Sequence, residues 1–171
     1  MIKIGKDITS FSAYSCQPRT KNELREIIKL SIDNDGPNCD LNDIDTSLIE
    51  DMSMLFCKSS FNGDISKWNT SNVKNMCCMF EGSKFNRDIS NWDVSNVTNM
   101  SWMFNGSDFN KDISRWNVSN VTNMTSMFQN SYFNKNISEW KLSKCCDIRY
   151  MFSVASIIDE FKPKSLQRCS R

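Results

Sequence analysis

The chain has 171 residues and 39% hydrophobic content, which is enough to bury a sizeable core and unlike the composition of a disordered or membrane protein. Its 21 basic and 20 acidic residues give a net charge of +1, without the positive excess that attracts nucleic acid or anionic lipid. The sequence shows no apolar run of the roughly 18 residues that a membrane span needs and no export signal, so we expect a cytoplasmic chain without a nucleic-acid partner.

Residues 1–36 are predicted to form an N-terminal cap, made of a strand and a helix over residues 20–35. Thr20 and Glu23 have the spacing of a capping box, and Gly36 is the expected C-terminal stop of the helix. The apolar face of this helix consists of Leu24, Ile27 and Ile28. This face should cover the open end of whatever structure follows.

Residues 37–156 consist of five copies of one 24-residue repeat, the first of them divergent. Three copies, starting at Phe61, Phe85 and Phe109, read FNGDISKWNTSNVKNMCCMF, FNRDISNWDVSNVTNMSWMF and FNKDISRWNVSNVTNMTSMF. One copy cannot stay folded alone, because burial stabilises by about 1.5–3 kcal/mol for each large apolar side chain, whereas ordering costs about 1–2 kcal/mol for each residue. Neighbouring copies should therefore stack and bury one continuous core.

Stacking would place equivalent positions of successive repeats in columns. The predicted structural core contains the aromatic columns: Trp68, Trp92, Trp116, Trp140, Phe80, Phe104, Phe128 and Phe152. Short polar columns, such as Asp64, Asp88 and Asp112, are expected to bond to the backbone at turns.

Within each repeat we predict one short strand and one short helix. The segment DIS should be extended and pair in parallel with the same segment of the next repeat. In NVTNMSWMF, Val97, Met100, Met103 and Phe104 recur at helical spacing, with Ser95 as the N-cap. The predicted fold is an α/β repeat solenoid of about five coils with short parallel strands and short helices, followed by a C-terminal cap and tail over residues 157–171.

No catalytic, cofactor-binding or metal-binding residue is predicted, and we expect no enzyme. The chain has no histidine, which removes the commonest general base and metal ligand. Repeat identity with turn capping accounts for the aspartate row better than calcium binding does. The eight cysteines form no CxxC pair and fall in different columns, so ordinary reduced thiols are favoured over a disulfide or zinc framework.

The columns that vary freely are predicted to face solvent and to carry any specificity. The candidate partner-binding residues are Trp102, Tyr132, Tyr150, Arg87, Lys111 and Lys135. For Trp102 an equal alternative is a half-buried position beside Met103.

The repeat FNxDISxWDVSNVTNMxxMF, preceded by PRTKNELREII, resembles the BspA-like family of bacterial leucine-rich-repeat-related surface proteins, over about residues 18–156. The resemblance implies a right-handed, leucine-rich-repeat-like solenoid and a role in contacting other proteins or host surfaces. It also implies a cell-surface or secreted location as the alternative to the cytoplasm, and it brings no catalytic residues.

These observations favour a non-enzymatic protein–protein interaction scaffold, either a BspA-like adhesin or a partner-binding module, with an unidentified protein partner. The chain would be a monomer or weakly self-associating. The alternative hypothesis is a structural spacer or self-associating repeat protein inside the cell.

Overall fold

A computed structural model describes residues 16–167 of the chain. The regular elements in this range are helix α1 (Lys21–Asp35), a 3-10 helix (Asp159–Phe161) and helix α2 (Lys164–Gln167). The strand predicted ahead of α1 and the last residues of the predicted tail lie outside the described residues. Between α1 and the 3-10 helix the backbone runs through turns and loops in five stacked 24-residue repeats.

Helix α1 begins and ends at residues that the sequence indicates. The Thr20 hydroxyl accepts a hydrogen bond from the Glu23 backbone N–H at 3.2 Å, and the Gly36 N–H donates to the Ile32 carbonyl. The Glu23 carboxylate accepts from the Arg19 N–H at 2.7 Å, which satisfies a second donor at the helix start. Leu24 and Ile28 are buried in the core, whereas Ile27 is only partly buried.

Successive repeats are joined by a one-directional row of backbone hydrogen bonds. In the third repeat the N–H groups of Met100, Trp102, Phe104 and Gly106 donate to carbonyls of the fourth repeat, 23 residues later, at 2.8–2.9 Å. The same four bonds recur at each of the four junctions between repeats. We refer to these four positions in every repeat as the donor row.

The predicted α/β solenoid with a strand and a helix in every coil is wrong. The described residues 37–156 contain no helix, and pairing between the repeats consists of isolated parallel bridges such as Asn75 with Asn99, without strands or a sheet. The same finding overturns the leucine-rich-repeat-like α/β coil that the family resemblance implies.

The reason lies in the backbone of the segment predicted as helical. Trp102 and Gly106 have φ of 60°, in the left-handed region, and the equivalent residues of every repeat do the same. Between these two residues, the Phe104 N–H donates to the next repeat, and the Met103 N–H donates to the Met100 carbonyl, three residues earlier. The i to i−4 hydrogen bonds of an α-helix therefore do not form. Ser95 is no N-cap, because no helix follows it in the described residues 37–156; its N–H donates to the Asp93 carboxylate at 2.9 Å.

The core is a set of aromatic files that run along the stack. The tryptophans Trp68, Trp92, Trp116 and Trp140 are 3–4% exposed. The Trp68 and Trp92 rings are parallel with centroids 6.4 Å apart, and each indole N–H donates to a carbonyl of the preceding repeat. The phenylalanine file has centroids 5.5–5.8 Å apart and consists of Phe56, Phe80, Phe104, Phe128 and Phe152. Phe152, at the end of the file, is only partly buried.

Short polar side chains stabilise the turns at the corners of the stack by hydrogen bonds to the backbone. The Asp64 and Asp112 carboxylates accept the N–H two residues later at 2.9 Å, and Asn136 in the same column does so through its amide oxygen. At the first junction, Gly63 lets two backbones approach closely, because an added Cβ would lie 1.9 Å from the Cys39 carbonyl oxygen.

Candidate interaction surface

The outer face of the stack carries large side chains on an unusual backbone. The column of Met54, Cys78, Trp102, Ser126 and Tyr150 has φ between 55° and 62°; we call it the left-handed column. This conformation costs a residue with a Cβ about 1–2 kcal/mol, and glycine adopts it freely. None of the five repeats has a glycine at this position.

The two aromatic candidates of this column lie on one face of the stack. Trp102 is 39% exposed and Tyr150 is 68% exposed, with the buried Ser126 between them in the column. Their two-repeat separation corresponds to about 10 Å at the usual spacing of paired backbones. The Trp102 side chain is thus partly buried and partly open to solvent, and its role in partner binding stays a prediction.

Tyr132 belongs to a neighbouring column of the same turn region and is 69% exposed. The other members of that column are short or charged, for example Lys84 and Asp108, whose side chains form an exposed ion pair at 3.1 Å. Tyr132 is therefore a single aromatic residue in an otherwise polar column.

Several exposed hydrophobic residues are absent from the candidates, and two of them lie at left-handed backbone positions. Met54, in the first repeat, is 53% exposed, and Val154, in the fifth, is 81% exposed. Met54 shares the left-handed column with Trp102; the sequence predicts that this column faces solvent, but Met54 is not among the partner-binding candidates. Val154 has φ of 57°, and a β-branched residue in this region is a genuine outlier; Gly82 and Gly106 at the same repeat position are the sequence signal for it.

The basic candidates form a separate surface. Arg87 and Lys111 line an open groove of about 970 Å³, and Lys111 and Lys135 line a second groove of about 720 Å³. The aromatic candidates do not line either groove. Arg87 Nε donates to the Asn62 carbonyl at 2.9 Å, which fixes its side chain against the preceding repeat. The structure thus splits the predicted site into two surfaces. We call the exposed side chains of Trp102 and Tyr150 the aromatic face, and the two grooves lined by Arg87, Lys111 and Lys135 the polar groove.

Carboxylates in the polar groove serve the turns. Hydrogen bonds from Ser66 lower the pKa of Asp64, and those from Ser114 lower the pKa of Asp112. In the part of the chain that the structure describes, residues 16–167, no cluster of three or more His, Cys, Asp or Glu side chains is arranged to hold a metal ion.

The seven described cysteines are all free thiols. Cys77 and Cys78 have their sulfur atoms 3.4 Å apart. Burial, together with the neighbouring Cys77 and Glu81, raises the pKa of Cys78. A raised pKa keeps this sulfur protonated and poorly nucleophilic.

Residues 16–167 include no helix with the length and hydrophobicity that crossing a bilayer requires. Searches of curated proteins and of solved structures each found no match to the chain. A family model described as "Mycoplasma protein of unknown function, DUF285" matches residues 31–131 and again residues 84–162. Because these two matches together span most of its length, the chain belongs to that family.

Proposed function

We propose that this protein is a non-enzymatic protein-interaction module that binds its partner through the left-handed column. One observation carries the proposal: every repeat has a side chain at a backbone position where glycine would be less strained, and three of these side chains are large and exposed. Backbone strain that persists in a fold is typical of functional positions.

The exposed side chains are of the type that dominates protein–protein interfaces. Tryptophan and tyrosine give large contact areas with few rotatable bonds, and they are enriched among residues that contribute most to binding. The hydrogen-bonded stack holds Trp102 and Tyr150 at a fixed spacing, so little conformational entropy is lost when a partner covers them. Methionine at position 54 adapts to irregular partner surfaces.

The polar groove would add charge steering at the edge of this surface. Arg87, Lys111 and Lys135 are close to the aspartates of the same grooves, so the groove presents both signs of charge. Charges at the rim of an interface mainly change the association rate and its salt dependence, and contribute little to affinity. We therefore place the affinity in the aromatic face.

The resemblance to BspA-like surface proteins supports an adhesin form of this proposal, in which the partner is a protein on a host or neighbouring cell. The exposed aromatic face would serve an intracellular partner equally well. The identity of the protein that the native chain captures in a pull-down distinguishes the adhesin form from the intracellular form.

The test compares partner binding by the native chain with that of the double variant Trp102→Ser and Tyr150→Ser. Serine is a conservative choice for the backbone, because Ser126 occupies the same column with φ of 56°. We expect the double variant to lose affinity for the captured partner by about 100-fold, the magnitude of losing two central aromatic contacts. Unchanged affinity would remove the proposal.

The control is Leu30→Ser, which removes an apolar side chain that is 53% exposed on helix α1 and does not belong to the column. This variant should bind the partner like the native chain. Thermal unfolding of all variants must be compared, because Trp102 is half-buried and its loss also removes packing.

A further inference from the structure

We infer that the C-terminal end of the stack is a docking edge for a segment of another polypeptide that adopts the turn of the repeat itself. This inference goes beyond the aromatic face, because the groups that carry it are backbone N–H groups at the end of the stack.

Within residues 16–167, no further repeat follows the donor row of the fifth repeat. In the first four repeats these N–H groups donate across the junction at 2.6–3.0 Å. The equivalent groups in the fifth repeat are the N–H groups of Ile148, Tyr150, Phe152 and Val154. Among residues 16–167, no hydrogen bond from these four groups is present. They form a row of donors at alternate residues, like the edge of an unpaired sheet.

The described residues after the fifth repeat, 157–167, fill only the first part of a sixth turn. Ile157 continues the column of Phe133 and is 6% exposed, and the Ser156 N–H donates to the Ser131 carbonyl. The Phe161 carbonyl accepts from the Ile137 N–H, again at the position of a next repeat. From Lys164 the chain turns into helix α2 and leaves the path of the repeat.

The part of this end that residues 157–167 leave uncovered is apolar as well as rich in donors. Tyr150 is 68% exposed and Val154 is 81% exposed. The end of the phenylalanine file, Phe152, has the Lys162 ammonium 5.7 Å from its ring centroid, where an internal repeat would have another phenylalanine. A lysine side chain is a cover that an incoming aromatic residue can displace.

The geometry argues against a second copy of this chain as the occupant. Two C-terminal ends facing each other would oppose donors with donors. The carbonyl groups at the other end of the stack belong to the first repeat, and helix α1 packs there with Leu24 and Ile28 buried. Lys21 Nζ also binds the Asp51 carboxylate and the Ser53 hydroxyl, each at 2.8 Å, and so fixes the helix on that end.

The occupant is therefore a foreign segment that offers carbonyl oxygens at alternate residues and a phenylalanine for the end of the file. A segment in the conformation of residues 99–106 has this chemistry, since the carbonyls of Asn99, Ser101, Met103 and Asn105 accept the donor row of the second repeat. Backbone pairing of this kind is a known mode of peptide recognition at open edges.

The test fuses a copy of residues 93–107 to the C-terminus of the full chain through a flexible linker of about ten glycine and serine residues. The linker sets a millimolar local concentration, so a competent edge must bind the segment. Hydrogen exchange is followed by NMR at the four end amides. We expect their exchange to slow by about tenfold or more relative to the unfused chain.

Two fused controls and one variant make the outcome decisive. A fused segment of scrambled sequence, and one with Met103→Ser and Phe104→Ser in the copy, should give no protection. The amides of Met124, Ser126, Phe128 and Asn130, which already donate to the fifth repeat, should exchange equally slowly throughout. Trp102→Ser in the host chain weakens the aromatic face at a residue two repeats from this end and should leave the protection unchanged, which separates this inference from the proposed function.

Two outcomes would overturn the inference. Unchanged exchange at the end amides in the fused chain, or equal protection by the scrambled segment, would show that the edge does not recognise the repeat turn. Protection in the unfused chain that grows with its concentration, together with faster exchange in helix α1, would show that a second copy is the occupant.

Discussion

A single left-handed residue in each turn decides the direction of the backbone N–H groups that follow it. Gly106 has φ of 60°, and no atom lies within 4 Å of the position that a Cβ would take. A substitution there therefore tests conformation without a steric clash. Residues with a Cβ already occupy this position in other repeats, as Asn130 does with φ of 55°.

We predict that Gly106→Ala lowers the free energy of unfolding by about 1–2 kcal/mol, the cost of a left-handed conformation for alanine. Gly106→Asn should lower it less, because asparagine tolerates this region better and Asn130 already adopts it. Urea denaturation measures both. Equal stability of the alanine variant and the native chain would contradict the prediction.

Gly63 differs from Gly106, because the space around it, and not its backbone conformation, limits which side chains can replace it. An added Cβ would lie 1.9 Å from the Cys39 carbonyl oxygen and 2.7 Å from the Phe61 ring. We predict that Gly63→Ala lowers the free energy of unfolding by about 1–3 kcal/mol, through strain in the packed core. Amide exchange should speed up mainly at the first junction, where Asp64 N–H donates to that carbonyl. Loss spread evenly over all junctions would contradict the local explanation.

Helix α1 is the element that closes the N-terminal end of the stack. We predict that Thr20→Ala destabilises the protein by about 1 kcal/mol, because it removes the acceptor of the Glu23 N–H. Thr20→Ser keeps a hydroxyl and should be close to the native chain. Thermal unfolding of the three proteins measures the effect, and an unaffected alanine variant would show that packing of Leu24 and Ile28 alone holds the helix.

The aspartate turns predict how stability depends on pH. Hydrogen bonds in the folded chain lower the pKa of Asp64 and Asp112 below the ordinary value near 4. A lowered folded-state pKa contributes stability above the unfolded pKa, and this contribution is lost as pH falls through the folded value. We predict nearly constant stability from pH 7 to 5 and a fall below about pH 4.

Asp112→Asn is the matched variant for this acid effect. Asn136 makes the same turn in the same column, with its oxygen 2.9 Å from the Ser138 nitrogen. The double variant Asp64→Asn and Asp112→Asn should therefore keep the fold and show a shallower loss of stability in acid. Urea midpoints between pH 7 and 3 test this, and an unchanged slope would assign the acid effect to other carboxylates.

At the scale of the whole molecule, each repeat contacts its neighbours through the same hydrogen bonds and ring stacks. We predict that deletion of residues 85–108, one full repeat, leaves a cooperatively folded chain. Its denaturant m-value should fall by about a seventh, in proportion to the 24 of 171 residues removed. Deletion of residues 85–96 alone shifts the register by half a repeat and should prevent folding. Loss of folding in both deletions would contradict the independence of the repeats.

Much of this structure could be read from the sequence, because identity between repeats is a strong signal. The 24-residue interval placed the tryptophan and phenylalanine columns in files, and Thr20 and Gly36 marked the bounds of helix α1. The exposed surface was predicted only in part: the column of Met54 was predicted to face solvent, but Met54 was not a binding candidate, and Val154 was not predicted at all. The donor row could not be found from side chains at all, because it consists of backbone N–H groups.

The sequence alone determined the register of the stack and the residues that fill its core, because every repeat must bury the same apolar columns against its neighbours. Only the tertiary structure decided the backbone of each repeat. Overlapping turns place Val97, Met100 and Met103 on one side at about the same spacing as a helix does. The turns are favoured over a helix because each donor-row N–H donates to a carbonyl of the next repeat. This acceptor exists only once the repeats are stacked.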